Sequence, residues 1–152
     1  MLPPQDLIDD MKDAGLASGE VFSSAHPPAE IPNAPGAYIL LIGLTQPVAV
    51  TAKPFPGVTF QPGWYIYTGS ANGPGGMRAR VARHLRHDKR AHWHVDHLTR
   101  EAKVTAVCFS GADECRLMDT LIAAAGFTVP VPGFGSTDCQ RCDSHLARWT
   151  PV

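Results

Sequence analysis

The residues of this 152-residue chain whose types could do chemistry fall in three runs. Between Arg78 and Arg90 stand Arg78, Arg80, Arg83, Arg86, Lys89 and Arg90, six of the thirteen basic residues, with Asp88 as the single acid among them. Such a concentration can neutralise several phosphates, and the counterions it releases supply an affinity for nucleic acid that is blind to sequence. The same run also fits a solvated helix face or a surface for an acidic protein. A second run, HWHVDH, offers His92, His94, Asp96 and His97, of which His94 and His97 stand three apart and can share a helix face as ligands. His94 and Trp93 fit the lining of a nucleic-acid groove, or the core, more readily. The third run is Cys139-x-x-Cys142-x-x-His145, compatible with three zinc ligands and with Cys108 or Cys115 as a fourth. Structural zinc sites commonly pair two such knuckles, so a single one also fits turn-forming or buried thiols.

Composition bounds what can position these groups. Apolar residues are 44% and charged residues 18%, a globular balance, while 14 Gly and 14 Pro promise many turns. The length suits one core and not two sizeable domains. A formal charge of -1 leaves nucleic-acid binding open, because a net value hides the basic run. No stretch approaches 18 apolar residues, and the first residues, MLPPQDLIDD, are acidic early, unlike a secretory signal. A soluble, cytoplasmic chain with no membrane partner is expected, and there four cysteines favour free thiols or a metal over disulfides.

Residues 1–34 hold one weakly amphipathic stretch, Leu7, Ile8 and Met11, followed by SSAHPPAEIPNAP, which cannot propagate a helix. They are expected to be a flexible tail and linker, leaving residues 35–152 as the domain. GAYILLIGL from Gly36 is almost wholly apolar and β-prone, which fits a strand buried on both faces. VAVTA (residues 48–52) and GWYIYTG (residues 63–69) read as further strands, and short connections imply antiparallel pairing. After the turn SANGPGG, Met77, Val81, His84 and Leu85 recur at helical spacing, and Arg80 and His84, four apart, share a face. AHWHVDHLTREA suggests a second helix with Trp93 and Leu98 inward, KVTAVCF a strand, and ADECRLMDTLIAAAG a third helix ended by Gly126. This order predicts an α+β domain, a small and mainly antiparallel sheet flanked by helices.

The ordered set resembles the GIY-YIG nuclease superfamily, and within it the DUF123 branch related to the Uri-type endonucleases. GAYIL matches the first signature with Ala37 in place of Ile, and YIYTGSA matches the second at Tyr67, Thr68 and Gly69. Arg80 and His84 in MRARVARHL fall where the family has an arginine followed four residues later by a histidine. Glu114 in ECRL takes the place of its metal-binding glutamate. The insertion VAVTAKPFPGVTFQP between the signatures is a feature of the same branch and is expected to add a strand and loop at the sheet edge. Many members close the site with an asparagine after the metal helix, where this chain has FGSTDCQRCDSHL, so Ser144 or His145 stands as the substitute.

The resemblance implies a divalent-metal-dependent endonuclease acting on DNA. A phosphodiester is negative and resists attack, so a hydrolase must shield that charge, activate a water and assist the leaving oxygen. On this pattern Glu114 would hold one Mg²⁺ or Mn²⁺, and Arg80 would brace the phosphate with a planar fork that lysine lacks. Tyr38 or Tyr67 would help deprotonate the water, its phenol, ordinarily titrating near 10, lowered by a nearby cation. His84 would relay a proton, contact phosphate or simply pack. Arg78, Arg83, Arg86, Lys89, Arg90 and His94 would face the nucleic acid. Two alternatives stand beside it: a binding module on the same scaffold without turnover, and a zinc-stabilised interaction domain.

Overall fold

The structure, a computed structural model, describes residues 2–51, 57–136, 139 and 141–152. Thirty-odd residues expected to be a tail are instead folded. Helix α1 (Gln5–Asp13) buries Leu7 and Met11, and β1 (Glu20–Ser23) pairs with a strand of the main sheet. Ile31 is buried as well, and the Arg78 guanidinium donates to the carbonyls of Ile31 and Ala29 at 2.8 and 3.0 Å. Prolines stop a helix from propagating through this stretch. They do not stop isolated apolar side chains from docking, and that corrects the tail.

The centre of the molecule is β2 (Gly36–Leu44), every residue of which is buried. It pairs antiparallel with β5 (Gly63–Ala71) on one side and β6 (Lys103–Ser110) on the other. With β7 (Phe127–Thr128) and β8 (Leu146–Trp149) the sheet has six strands in the order β1-β6-β2-β5-β8-β7, each neighbouring pair antiparallel. Alternation sorts the side chains of β2 to two faces. Tyr38, Leu40 and Ile42 lie in one core with Met77, Val81 and Leu85 of α2 (Gly76–Leu85) and Leu98 of α3 (Asp96–Thr99). Ala37, Ile39 and Leu41 lie in the other, with α1 and with Leu117, Met118 and Leu121 of α4 (Glu114–Ala123). Helices on both faces explain why β2 reads as a continuous apolar run and not as an alternating one.

The α+β architecture expected from the sequence is therefore present, with four helices on a mainly antiparallel sheet. Three details differ. The insertion forms its own hairpin, β3 (Val48–Val50) with β4 (Val58–Phe60), and does not lengthen the edge of the larger sheet. Val50 and Phe60 join the Tyr38 core, while residues 52–56 lie outside the described ones. The helix expected around His94 shrinks to the single turn of α3, because the buried Asp96 carboxylate accepts the backbone N–H groups of His92 and Trp93 at 2.7 and 2.9 Å. Satisfying those donors from a side chain offers the backbone an alternative to a longer helix. The strands β7 and β8 had no counterpart in the sequence reading, since two and four residues are too few for a period to show.

Candidate active site and its neighbouring thiol cluster

A cleft of about 210 Å³ opens beside β5, and Tyr38, Tyr67, Arg80 and Glu114 all line it. The side chains arrive from β2, β5, α2 and α4, so four elements far apart in the chain supply one concavity. Register accounts for the first two. Tyr38 lies opposite Gly69, and Leu40 lies opposite Tyr67, which places both phenols on the same sheet face two residues apart. Gly69 is required for this. A Cβ there would run into the ring and hydroxyl of Tyr38, so the glycine is what lets that ring lie across the neighbouring strand. Gly135 does the same for Tyr67 from the opposite wall: its φ is +72°, and an added Cβ would sit 2.8 Å from the Tyr67 ring.

Arg80 and His84 share one face of α2, as their spacing requires, yet they meet different surroundings. The guanidinium of Arg80 stays at the cleft, 4.9 Å from the centre of the Trp93 ring. His84 is turned inward, only 1% exposed, with Nε2 2.8 Å from the Tyr38 hydroxyl. Contact between His84 and a phosphate is thereby closed off. Its Nδ1 has no hydrogen-bond partner among the described residues and faces Oδ1 of Asp96 at 3.9 Å, beyond bonding distance. Burial, reinforced by the charge of Lys89, lowers the imidazole to about 3 in spite of Asp96, so His84 is neutral at physiological pH.

The phenols titrate in the direction opposite to the expected one. Burial pushes Tyr38 well above its ordinary range against the lowering pull of Arg80, and Glu114 raises it further. Burial also raises Tyr67, helped by Tyr38 and Glu114. The protein by itself thus keeps both hydroxyls protonated. Glu114 lines the same cleft as the two rings, and at 26% side-chain exposure it is also open to solvent. It is the single carboxylate among the described lining residues.

Of the other residues expected to meet nucleic acid, four are engaged within the chain. Arg78 ties down the amino-terminal segment as described above. Arg83 donates to Asp96 at 2.9 Å and to the Arg90 carbonyl at 3.0 Å while lying 4.5 Å over Trp93. Lys89 donates to the carbonyls of Arg83 and His84 at 3.2 and 2.9 Å, and burial lowers it to about 8. Arg86 and Arg90 are exposed. His94 accepts the Gly135 N–H through Nδ1 at 3.1 Å, and its ring centre lies 5.5 Å from that of Phe134. His92, His94, Asp96 and His97 form no metal-ligating group among the described residues.

The thiols do. Sγ of Cys115, Cys139 and Cys142 and a ring nitrogen of His145 all lie within 4.8 Å of one another, a set that could hold a metal ion. Three soft sulfurs and an imidazole favour zinc over Mg²⁺. The fourth member is Cys115. Cys108 lies apart in the Tyr38 core, where burial raises its thiol to about 11. The segment carrying Cys139 to His145 is drawn to α4 by Arg141, which pairs at 3.0 Å with Asp113, the residue whose carboxylate caps the helix through the Cys115 and Arg116 N–H groups. Although burial works against it, the N–H groups of Arg141 and Cys142 and the neighbouring Cys115 and His145 lower Cys139 to about 6. Of Ser144 and His145, the first is buried and bonds the Phe134 carbonyl and the backbone of Leu146. His145 lines the cleft, with Nδ1 3.9 Å from Oε2 of Glu114.

The profile of the family described as Domain of unknown function DUF123 matches residues 37–151. The chain belongs to this family. The DUF123 match begins on β2 and runs past β8, so it takes in every cleft and thiol residue named above. Helix α1 and β1, which fold onto the same sheet, lie before it. No curated protein and no solved structure matches the chain significantly. Among the described residues, no helix of this DUF123 protein is long and apolar enough to cross a membrane.

Proposed function

We propose that the cleft hydrolyses phosphodiester bonds in DNA, as the resemblance to GIY-YIG nucleases suggests. The supporting observation is that Tyr38, Tyr67, Arg80 and Glu114, residues that the resemblance singles out from the sequence, line one cleft. Arg80 is poised to brace a phosphate, because it lines the cleft with its guanidinium steadied over the Trp93 ring. Tyr38 would receive the proton of the attacking water as its own hydroxyl proton passes to Nε2 of His84, 2.8 Å away, so the phenol ends neutral and the imidazole takes up the proton. His145 takes the place of the closing asparagine.

Glu114 is the residue that would hold Mg²⁺ or Mn²⁺, being the one part-exposed carboxylate there, with water completing the shell. Such an ion would supply charge to the developing phosphorane and lower the proton affinity of groups near it. A second reading, nucleic-acid binding without turnover, is favoured by the buried and protonated state of both phenols. Incubation with labelled single- and double-stranded DNA and Mg²⁺ or Mn²⁺ separates the two. Hydrolysis is expected from the wild type and not from Glu114→Ala or Arg80→Ala. Equal cutting by all three, or none by the wild type beside an active control nuclease, overturns the nuclease reading. Binding that survives Glu114→Ala and falls with added salt would then identify the module without turnover.

A further inference from the structure

We infer that Cys115, Cys139, Cys142 and His145 form a structural zinc centre whose histidine also orients the carboxylate of Glu114. The first half stands on the geometry alone; the second rests on the nuclease reading.

Cys115 Sγ lies 3.4 Å from Cys139 Sγ and 3.7 Å from Nε2 of His145. A tetrahedral zinc ion with bonds of about 2.3 Å to sulfur and about 2.0 Å to nitrogen spaces its ligands roughly 3.5–3.8 Å apart. These two separations fall close to that spacing, and all four donor atoms lie within 4.8 Å of one another. They do not match a disulfide, whose sulfurs stand about 2.05 Å apart. Packing alone does not account for the convergence either. Cys139 and Cys142 are half-buried, so burial of their side chains is incomplete, yet both sulfurs turn toward Cys115 and His145.

The chain around the cluster shows what such an ion would accomplish. Between β7 and β8, residues 129–145 contain no strand or helix among those described. Irregular connections of that length are uncommon in compact domains unless something ties them. This one supplies Gly135, Cys139 and His145 to the cleft wall. A metal bridging it to Cys115, in the first turn of α4, would pin the wall to the helix that carries Glu114.

His145 joins the two sites. Its Nε2 faces the sulfurs, and its Nδ1 faces Glu114 Oε2 at 3.9 Å. Zinc-binding histidines typically present the second ring nitrogen, carrying the proton, to a carboxylate or carbonyl, which fixes both partners. With Nε2 on the metal, the proton must sit on Nδ1 and point at Glu114. The acid is thus held from two directions, by the adjoining ligand Cys115 and by the imidazole.

The full-length chain, purified without chelator, is expected to contain one zinc per molecule, released when a mercurial titrates its thiols. Cobalt should give the intense visible bands of a tetrahedral thiolate site. Cys142→Ser should lower the zinc content well below one. Absence of both zinc and a cobalt–thiolate spectrum in folded protein would overturn the centre, as would full zinc content in Cys142→Ser and Cys139→Ser. His145→Cys guards against misfolding, since it keeps four soft donors and is expected to retain zinc. It lacks the second nitrogen, and loss of such a partner weakens metal affinity by about 10–100-fold. Electron paramagnetic resonance should therefore show weaker Mn²⁺ binding in His145→Cys at full zinc content. Unchanged Mn²⁺ affinity overturns the link to Glu114. One zinc per wild-type chain without any Mn²⁺ site supports the centre and overturns both that link and the nuclease reading.

Discussion

The hydroxyl of Tyr38 lies 2.8 Å from Nε2 of His84, and neither side chain is more than 2% exposed. A pair buried this thoroughly depends on protonation. Only a neutral imidazole can accept the phenol's proton and sit unpaired beside Arg83 and Lys89 without a large desolvation cost.

That dependence has a sign. The folded chain lowers His84 from 6.5 to about 3, so a proton binds the unfolded state first as the pH falls. The contribution of neutral His84 is intact above about pH 6.5 and is lost progressively between there and about pH 3, at up to ~1.4 kcal/mol per pH unit. Urea unfolding at pH 7 and pH 5 should show a loss of roughly 2 kcal/mol, and His84→Gln should flatten this slope while being less stable at pH 7. An equal slope in both proteins would remove His84 as its source.

Asp96 is expected to matter more for stability than for recognition. It is fully buried and accepts from Arg83 and from two backbone N–H groups. Asp96→Ala leaves all three donors unpaired and should cost about 3–5 kcal/mol. Asp96→Asn, which keeps the shape and loses the charge, should cost less. A melting temperature within a degree of wild type for Asp96→Ala would contradict this.

Arg80 and Arg83 both lie over Trp93, and conservative substitution should separate their roles. Under the proposed nuclease function, Arg80→Lys loses the fork in the cleft and is expected to reduce cleavage about 10²–10³-fold, with little change in melting. Arg83→Lys offers Asp96 a poorer partner and should lower stability by about 1–2 kcal/mol while affecting cleavage per folded molecule much less. Reversal of the two phenotypes would show that the phosphate-facing arginine has been misassigned.

Removal of residues 2–34 tests the amino-terminal segment. A tail would come off without consequence. Because Leu7, Met11, Phe22 and Ile31 are buried and β1 covers the edge of β6, the truncated chain should be markedly destabilised and prone to associate through the uncovered strand. In the full chain, Leu7→Ala alone should cost about 2–4 kcal/mol by chemical denaturation.

The strands and helices whose pattern spans two or more periods could be located from the sequence: β2 by its unbroken apolar run, and α2 by Met77, Val81, His84 and Leu85, all buried as the spacing requires. The helical phase also placed Arg80 and His84 on one side. It could not say that one turn along that side the cleft ends and the core begins, so proton relay, phosphate contact and packing all stay open for His84 until its bond to Tyr38 is seen. The basic run shows the same limit. Charge is visible in a sequence, but whether a guanidinium meets a carbonyl of Ile31 or solvent depends on a segment 47 residues away.

Local covalent order, then, determined the elements, the faces they bury and the inventory of reactive groups, since periodicity and turn chemistry act over a few neighbouring residues. Folding decided which groups meet. Cys108 and Cys115 are equally plausible partners for Cys139 when read along the chain, yet β6 delivers one into the apolar core and α4 delivers the other to His145. Contacts of that kind are fixed by strand register and helix placement between distant segments, and no short-range pattern carries that information.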